Sequence, residues 1–309
     1  MGKDLVDRFA GFRQTIERVD AALGEKVCTG LMLDGPQVEL NKTENAQVAL
    51  LGYSCGLWQV LQDEFGMSIE DCTCVLGHSL GEFSSLVATK VLSLEDAAKI
   101  VRSRGRAMQQ ASDAYFTAPD TFSMKALMGV NEKQAEMACS AALSQLGKPG
   151  YVCQVANING ASQVVISGTK VAVEAACTVA KKKFKMRRAV GLSVSAPFHS
   201  DVMKGALPAL EEAFNGASWS DPCIPIISNV VGSPIRHASD LKPLLLEQLH
   251  APVYWSRCVE TAVSSPFDCR TLIELGHKTL GPLAGRIIKA DPRLSVLQIK
   301  TLSATTLVK

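Results

Sequence analysis

Apolar residues recur at helical spacing from the start of the chain. Leu5, Phe9, Phe12, Ile16 and Val19 share one face of a helix predicted over residues 4–24, which Gly24 ends. Asp34-Gly35-Pro36 breaks the next segment, and a second helix is expected over residues 45–65, with Gln47 in its first turn. A short apolar run, Cys74-Val75-Leu76, reads as a strand and leads through Gly77-His78-Ser79-Leu80-Gly81-Glu82 into a helix, Phe83 to Lys90. A further helix is expected over residues 94–111, with Ser93 as N-cap and Glu95 and Asp96 at its positive end. On a wheel of about 100° per residue, Lys99, Arg102 and Arg106 share its polar side. Arg104 falls instead with Ala97, Ile100, Val101 and Met108, on the apolar side. A guanidinium facing inward needs a partner. Either a protein carboxylate supplies it, or the arginine is a fork for the carboxylate of an acidic substrate.

The pattern changes after a polar connection at residues 111–121. A strand (Phe122 to Gly129), a helix (131–145), two strands (Tyr151 to Ile158 and Gln163 to Ser167), a helix (169–184) and a strand (Arg188 to Val194) follow. That order, βαββαβ, is a ferredoxin-like split motif. The fold class is therefore α/β, with a small subdomain at 122–193 inserted into a large domain made of 1–121 and 194–309. In the second part of the large domain, Ser193-Val194-Ser195-Ala196-Pro197-Phe198-His199-Ser200 runs from a strand end into a helix at 201–215. A strand (Ile224 to Asn229), a helix (239–250), a last strand–helix pair (Thr271 to Leu275, Leu280 to Ala290) and an edge strand with a frayed end (Val296 to Leu307) complete it.

The 309 residues are 47% hydrophobic, enough to fill the cores of two unequal domains. A formal net charge of +2 gives no basic field for nucleic acid. No apolar run approaches the roughly 20 residues of a membrane span. The ten cysteines are irregularly spaced without a Cys-x-x-Cys, which reads as free, mostly buried thiols in a reducing compartment. The five histidines are scattered and unpaired with cysteines, which argues against a metal. The run from Lys181 to Arg188 is either a solvated helix end or a docking surface for an acidic protein.

Strand, Gly-x-Ser-x-Gly, helix is the context of a nucleophile elbow. Its two glycines are expected to permit the sharp turn and the close approach of neighbours, and the Leu80 N–H is placed to hold a developing oxyanion beside Ser79. A serine needs a base. His78 should point away from its neighbour, and His237 and His250 lie in polar stretches. Two candidates stay open: His199, on a loop at a strand's C-terminal end, and His277, with Glu274 or Asp268 as its acid.

Gly-His-Ser-Leu-Gly-Glu at 77–82, Arg104-Gly105, and Ala196-Pro197-Phe198-His199-Ser200 together resemble the malonyl-CoA:acyl carrier protein transacylases. Glu39-Leu40-Asn41-Lys42-Thr43, Asn157-Ile158-Asn159, Gln163 to Gly168 and Glu247-Gln248-Leu249 extend the likeness to about residue 300. The resemblance implies a hydrolase-like parallel-sheet acyltransferase domain with a ferredoxin-like insert and a site in the cleft between them. It implies Ser79 as nucleophile, His199 as base oriented by the main-chain carbonyl of Gln248, and Arg104 as clamp for the malonyl carboxylate. Leu80, Gln47 and Asn159 are implied to line the substrate site, and Phe198 resembles the malonyl-selecting members. The implied reaction is ping-pong, from malonyl-CoA through a malonyl-serine to the phosphopantetheine thiol of acyl carrier protein, in fatty-acid synthesis. No cofactor or metal, no nucleic acid and no membrane is implied, and the enzyme is expected to be a monomer in the mitochondrial matrix or, alternatively, the cytoplasm.

Two departures qualify the resemblance. The family's first strand and Gly-Gln-Gly-Ser-Gln loop, which carries a second oxyanion N–H, have no counterpart before Met1. Loss of one such donor typically costs about 10²–10³ in rate. A shortened chain without activity is thus one alternative, and a serine hydrolase or thioesterase using His277 is the other. The family's Gly-Pro-Gly-Lys turn is replaced by Gly276-His277-Lys278.

Overall fold

The first helical stretch is two helices in the computed structural model, Lys3–Arg8 and Ala10–Leu23, because Phe9 takes an extended backbone between them (φ −120°, ψ 111°). The structure describes residues 1–115, 122–147, 149–192, 194, 196–294 and 298–307. The helix Thr43–Phe65 packs against Ala10–Leu23 and against Leu94–Tyr115, and these three helices carry much of the main core. Part of the connection expected at 111–121 is helical, to Tyr115; residues 116–121 lie outside the described residues.

The large domain's sheet is short. Val75–Leu76 pairs in parallel with Ile226–Ile227, and that strand pairs antiparallel with Pro234–Ile235. A second parallel pair joins Thr271–Leu275 to Gln298–Leu302. Among the described residues, Val75–Leu76 and Thr271–Leu275 each have a partner on one side only. Both line the same apolar slot of about 750 Å³, with Tyr53, Trp58 and Trp255. Parallel strands are normally covered on both faces; here Ile273 stays 38% exposed. The chain after the last strand turns into a short helix, Ala304–Leu307.

Residues 122–191 form a four-stranded antiparallel sheet. Counted within the segment, the strands lie in the order second, third, first, fourth, the arrangement of the split βαβ motif. Its helices, Glu132–Leu146 and Lys170–Phe184, cover one face and bury a separate core around Leu127, Val155 and Ile166. The other face presents Met124, Ala126, Ala156 and Val165 to Phe198, next to His199. The last strand ends at Gly191, and residues 193 and 195 lie outside the described residues. Main-chain bonds between Val253 and both Ala156 and Ile158 tie this sheet to the large domain.

Other elements differ from the sequence expectation in extent. The helix expected at 201–215 opens as a tighter 3₁₀ turn, Asp201–Ala206, before Leu207–Asn215. The strand expected at 224–229 shrinks to Ile226–Ile227, and its end is a turn carrying Ser228 and Asn229. The helix Trp255–Val263 was not anticipated. No helix of the described residues is long and apolar enough to cross a membrane. All ten cysteines are free, six of them buried.

Candidate active site

The turn from Leu76 into the helix Leu80–Ala88 puts Ser79 in a conformation that L-residues avoid (φ 52°, ψ −108°). Such strain costs on the order of 1–3 kcal/mol and persists where the surroundings over-determine it. Here two amide side chains do so. Asn229 Oδ1 accepts the Ser79 N–H at 2.7 Å, and Gln248 Nε2 donates to the Ser79 carbonyl at 3.1 Å. Asn229 also donates to the Gly77 carbonyl at 2.6 Å. Gly77 has no room for a side chain, since a Cβ there would lie 2.0 Å from the Gly81 main chain. Gly81 differs from the expectation that both glycines serve close approach: a Cβ on it would meet nothing within 4 Å. The Leu80 N–H, at the first helical position, has no intrahelical partner and lies next to Ser79.

Ser79 Oγ lies 2.9 Å from His199 Nε2. His199 Nδ1 bonds the Gln248 main-chain carbonyl at 2.8 Å. A carbonyl can only accept, so the proton sits on Nδ1 and the Nε2 lone pair faces the serine hydroxyl. Burial, then the charge of Arg104, pushes the His199 pKa down to about 3, so the ring is neutral at pH 7. His277 stacks on Tyr53 instead, with ring centroids 5.7 Å apart. Glu274 is fully engaged elsewhere. It accepts the N–H groups of Thr279, Leu280 and Gly281 and the Thr301 hydroxyl, capping the helix Leu280–Ala290. The dyad of His277 with Glu274 is therefore not assembled. His78 is partly buried, faces the Asn159 side-chain oxygen at 3.2 Å and packs on Trp255; desolvation lowers its pKa. Asn159 thus enters the site as the partner of His78.

Arg104 is 2% exposed. Its helix can approach Thr43–Phe65 closely because Gly105 follows it; a Cβ there would lie 2.6 Å from the Glu44 Cα. Nη1 donates to Gln47 Oε1 at 2.5 Å and Nη2 to Gln248 Oε1 at 3.1 Å, while Nε is buried without a partner. Gln47 therefore touches the site through Arg104. Among the described residues no carboxylate is within ion-pair distance of Arg104; its partners are neutral amides. Burial lowers its pKa to about 10, opposed by the charge of Glu82, so it remains cationic at neutral pH. Arg102 lies with Arg106 on the polar side, as the wheel places it, and both pair with Glu25 and Glu44. Arg102 is nevertheless buried, bonded also to the Asn45 side chain at 2.8 Å and to the Glu44 carbonyl at 2.9 Å. Glu25 and Glu44 roof that side of the helix.

Gln248 joins these parts. Its main chain orients His199, its side-chain oxygen meets Arg104, and its side-chain nitrogen meets Ser79 O and, at 2.6 Å, Glu82 Oε2. Sequence reasoning gave no role to Asn229 or Glu82; the polar Ser228-Asn229 directly after an apolar run was the one available signal for the former. The arrangement can deprotonate a hydroxyl, hold an oxyanion at a helix N-terminus and pair a carboxylate with a desolvated guanidinium. Among the described residues no group of three or more His, Cys, Asp and Glu side chains is arranged to hold a metal ion.

A hydrolase-like elbow, a serine–histidine pair and a small sheet subdomain together define an acyltransferase, and residues 1–265 match the acyl transferase domain family. The chain belongs, within that class, to the malonyl-CoA–acyl carrier protein transacylase family. It is 34% identical over 299 residues to the malonyl CoA-acyl carrier protein transacylase of Bacillus subtilis, covering 97% of this chain and 88% of that one. The Escherichia coli K12 transacylase is 34% identical over 289 residues, covering 92% and 87%. The crystal structure of the acyl-carrier-protein S-malonyltransferase of Bartonella henselae superposes with a TM-score of 0.87 at 37% identity, covering 99% and 91%. A type II PKS acyl-carrier protein in complex with its malonyl-transacylase matches with a TM-score of 0.86 at 31% identity, covering 100% and 94%.

Proposed function

We propose that this chain transfers the malonyl group of malonyl-CoA to the phosphopantetheine thiol of acyl carrier protein, through a malonyl ester of Ser79, in fatty-acid synthesis. The observation that carries the reading is the buried Arg104, left without a carboxylate and joined through Gln248 to the histidine facing Ser79. The relatives' names support the same substrate and partner.

His199 Nε2 takes the Ser79 proton as Oγ attacks the thioester carbonyl. The resulting oxyanion lies at the Leu80 N–H. Collapse breaks the carbon–sulfur bond, and coenzyme A leaves with the proton from His199. The malonyl ester keeps its carboxylate on Arg104. The phosphopantetheine thiol then gives its proton to His199 and attacks the ester carbonyl, and Ser79 leaves with that proton. The exposed lysines and arginines of residues 181–188 support docking of an acidic carrier protein. Charge reversal at Lys181, Lys182 and Lys183 should slow transfer to the carrier and flatten its salt dependence; unchanged transfer would return the run to a solvated helix end. The free thiols support a reducing compartment.

Intact-mass spectrometry after mixing with malonyl-CoA tests the reading. One malonyl adduct is expected, located on Ser79 and missing from Ser79→Ala. An adduct that survives Ser79→Ala, or none on the unaltered chain, would count against it.

A further inference from the structure

Glu82 is 1% exposed, and the steps above give it no part. It lies one helical turn after Ser79. Its Oε2 accepts from Gln248 Nε2 at 2.6 Å, and its two oxygens face the Asn229 N–H at 3.3 and 3.4 Å. Those are the two residues that hold the Ser79 N–H and carbonyl. The Gln248 amide has one workable orientation. Arg104 only donates, so the amide oxygen faces it; an ionised Glu82 only accepts, so the amide nitrogen faces it. The carboxylate thus balances Arg104 across one amide group and leaves the guanidinium Nε without a protein partner.

We propose that Glu82 is the buried counter-charge of Arg104, relayed by the Gln248 amide, and that it takes up a proton when an acyl carboxylate pairs with Arg104. This rests on the malonyl reading above. Before substrate binds, the buried network holds one cation and one anion. A malonyl carboxylate makes it two anions on one cation, and an uncompensated buried charge is costly. Two carboxylates sharing such a site do not both stay ionised. The substrate's carboxylate touches the guanidinium directly and Glu82 reaches it only through an amide, so Glu82 is the group that protonates.

The surroundings allow it. The helix Leu94–Tyr115 contributes Arg104 as the facing cation, and the loop at 196–200 contributes His199, which is neutral. The helix Trp255–Val263 contributes the Cys258 thiol, held neutral by burial and by Glu82 itself. The turn after Ile227 contributes Ser228 and Asn229, Gln248 is an amide, and the helix Leu80–Ala88 carries no other charged residue. Burial already raises the Glu82 pKa to about 7, opposed by hydrogen bonds from Gln248, Asn229 and Ser228 and by the charge of Arg104. When protonated, the carboxyl still accepts from Gln248, and the Ser228 hydroxyl is an acceptor for its O–H.

Calorimetry on the Ser79→Ala chain at pH 8, in buffers of different ionisation enthalpy, tests this. Malonyl-CoA should bind with uptake of about one proton more than acetyl-CoA. Malonyl-CoA affinity should fall by up to about tenfold per pH unit above 7 while acetyl-CoA affinity stays level. Adding Glu82→Gln should remove the uptake and the slope while malonyl-CoA still binds. Malonyl-CoA binding without the extra proton, or with the same proton count in Glu82→Gln, overturns the proposal and leaves the clamp untouched. Equal affinity for both thioesters, unmoved by Arg104→Ala, overturns the clamp and the proposal with it. Should Glu82→Gln fail to fold, the difference in proton count between the two thioesters on the parent chain decides, and a difference of zero overturns the proposal.

Discussion

His199 donates its Nδ1–H to the main-chain carbonyl of Gln248 at 2.8 Å, in the place where a serine–histidine–acid triad keeps a carboxylate. A carbonyl fixes the tautomer as well as a carboxylate does, but it offers no full negative charge to an imidazolium. With Arg104 adding positive potential from the other side, the neutral ring is strongly favoured.

His199→Ala should slow acylation of Ser79 by about 10²–10⁴, the usual share of a general base. His277→Ala should leave it within a few-fold, because His277 stacks on Tyr53 and Glu274 is committed to a helix cap. Stopped-flow acylation of the two variants checks this; the reverse ranking would restore the hydrolase reading.

The sign of the pH dependence follows from the depressed His199 pKa. The base is lost only as pH falls through its folded value of about 3. Acetyl-CoA, which brings no carboxylate, should therefore acylate Ser79 at a level rate from pH 8 down to about 5. A half-loss near 6.5 would mean an unperturbed histidine. Stability moves in the same sense. In the unfolded chain His199 titrates near 6.5, so its contribution is complete above about 6.5 and is lost as pH falls from there toward the folded value.

The two elbow glycines should behave oppositely. Gly77→Ala drives a methyl group into the Gly81 main chain and should abolish soluble, folded protein. Gly81→Ala meets nothing and sits in the first turn of a helix, where alanine is favoured by less than the roughly 1 kcal/mol of a helix interior. Thermal melts should show Gly81→Ala unchanged or higher. A collapse of Gly81→Ala would contradict the geometry.

Elements with one-sided apolar spacing were legible from the chain, and so was the inward Arg104. The break at Phe9 was not, because the apolar spacing runs straight through it while only the backbone turns. The helix Trp255–Val263 carried a readable signal, since Trp255, Cys258, Val259, Ala262 and Val263 recur at helical spacing. The polar side shared by Arg102 and Arg106 was legible, but the burial of Arg102 was not, because a wheel shows one helix and not the Glu25 and Glu44 that fold over it. In the site, Ser79 was a candidate from its local motif, whereas the choice between His199 and His277 stayed open until a family resemblance favoured one. The bond from Glu82 to Gln248 spans 166 residues of sequence, and no local periodicity encodes it.

The most direct test of the account is the acylation rate of Arg104→Ala with malonyl-CoA against acetyl-CoA. Losing a desolvated, doubly bonded guanidinium typically costs about 2–5 kcal/mol. At about 1.4 kcal/mol per tenfold, malonyl-CoA kcat/KM should fall by roughly 30- to 4,000-fold. Acetyl-CoA kcat/KM should hold or rise. Equal losses with both thioesters, or unchanged malonyl-CoA kinetics, would contradict a carboxylate clamp at Arg104.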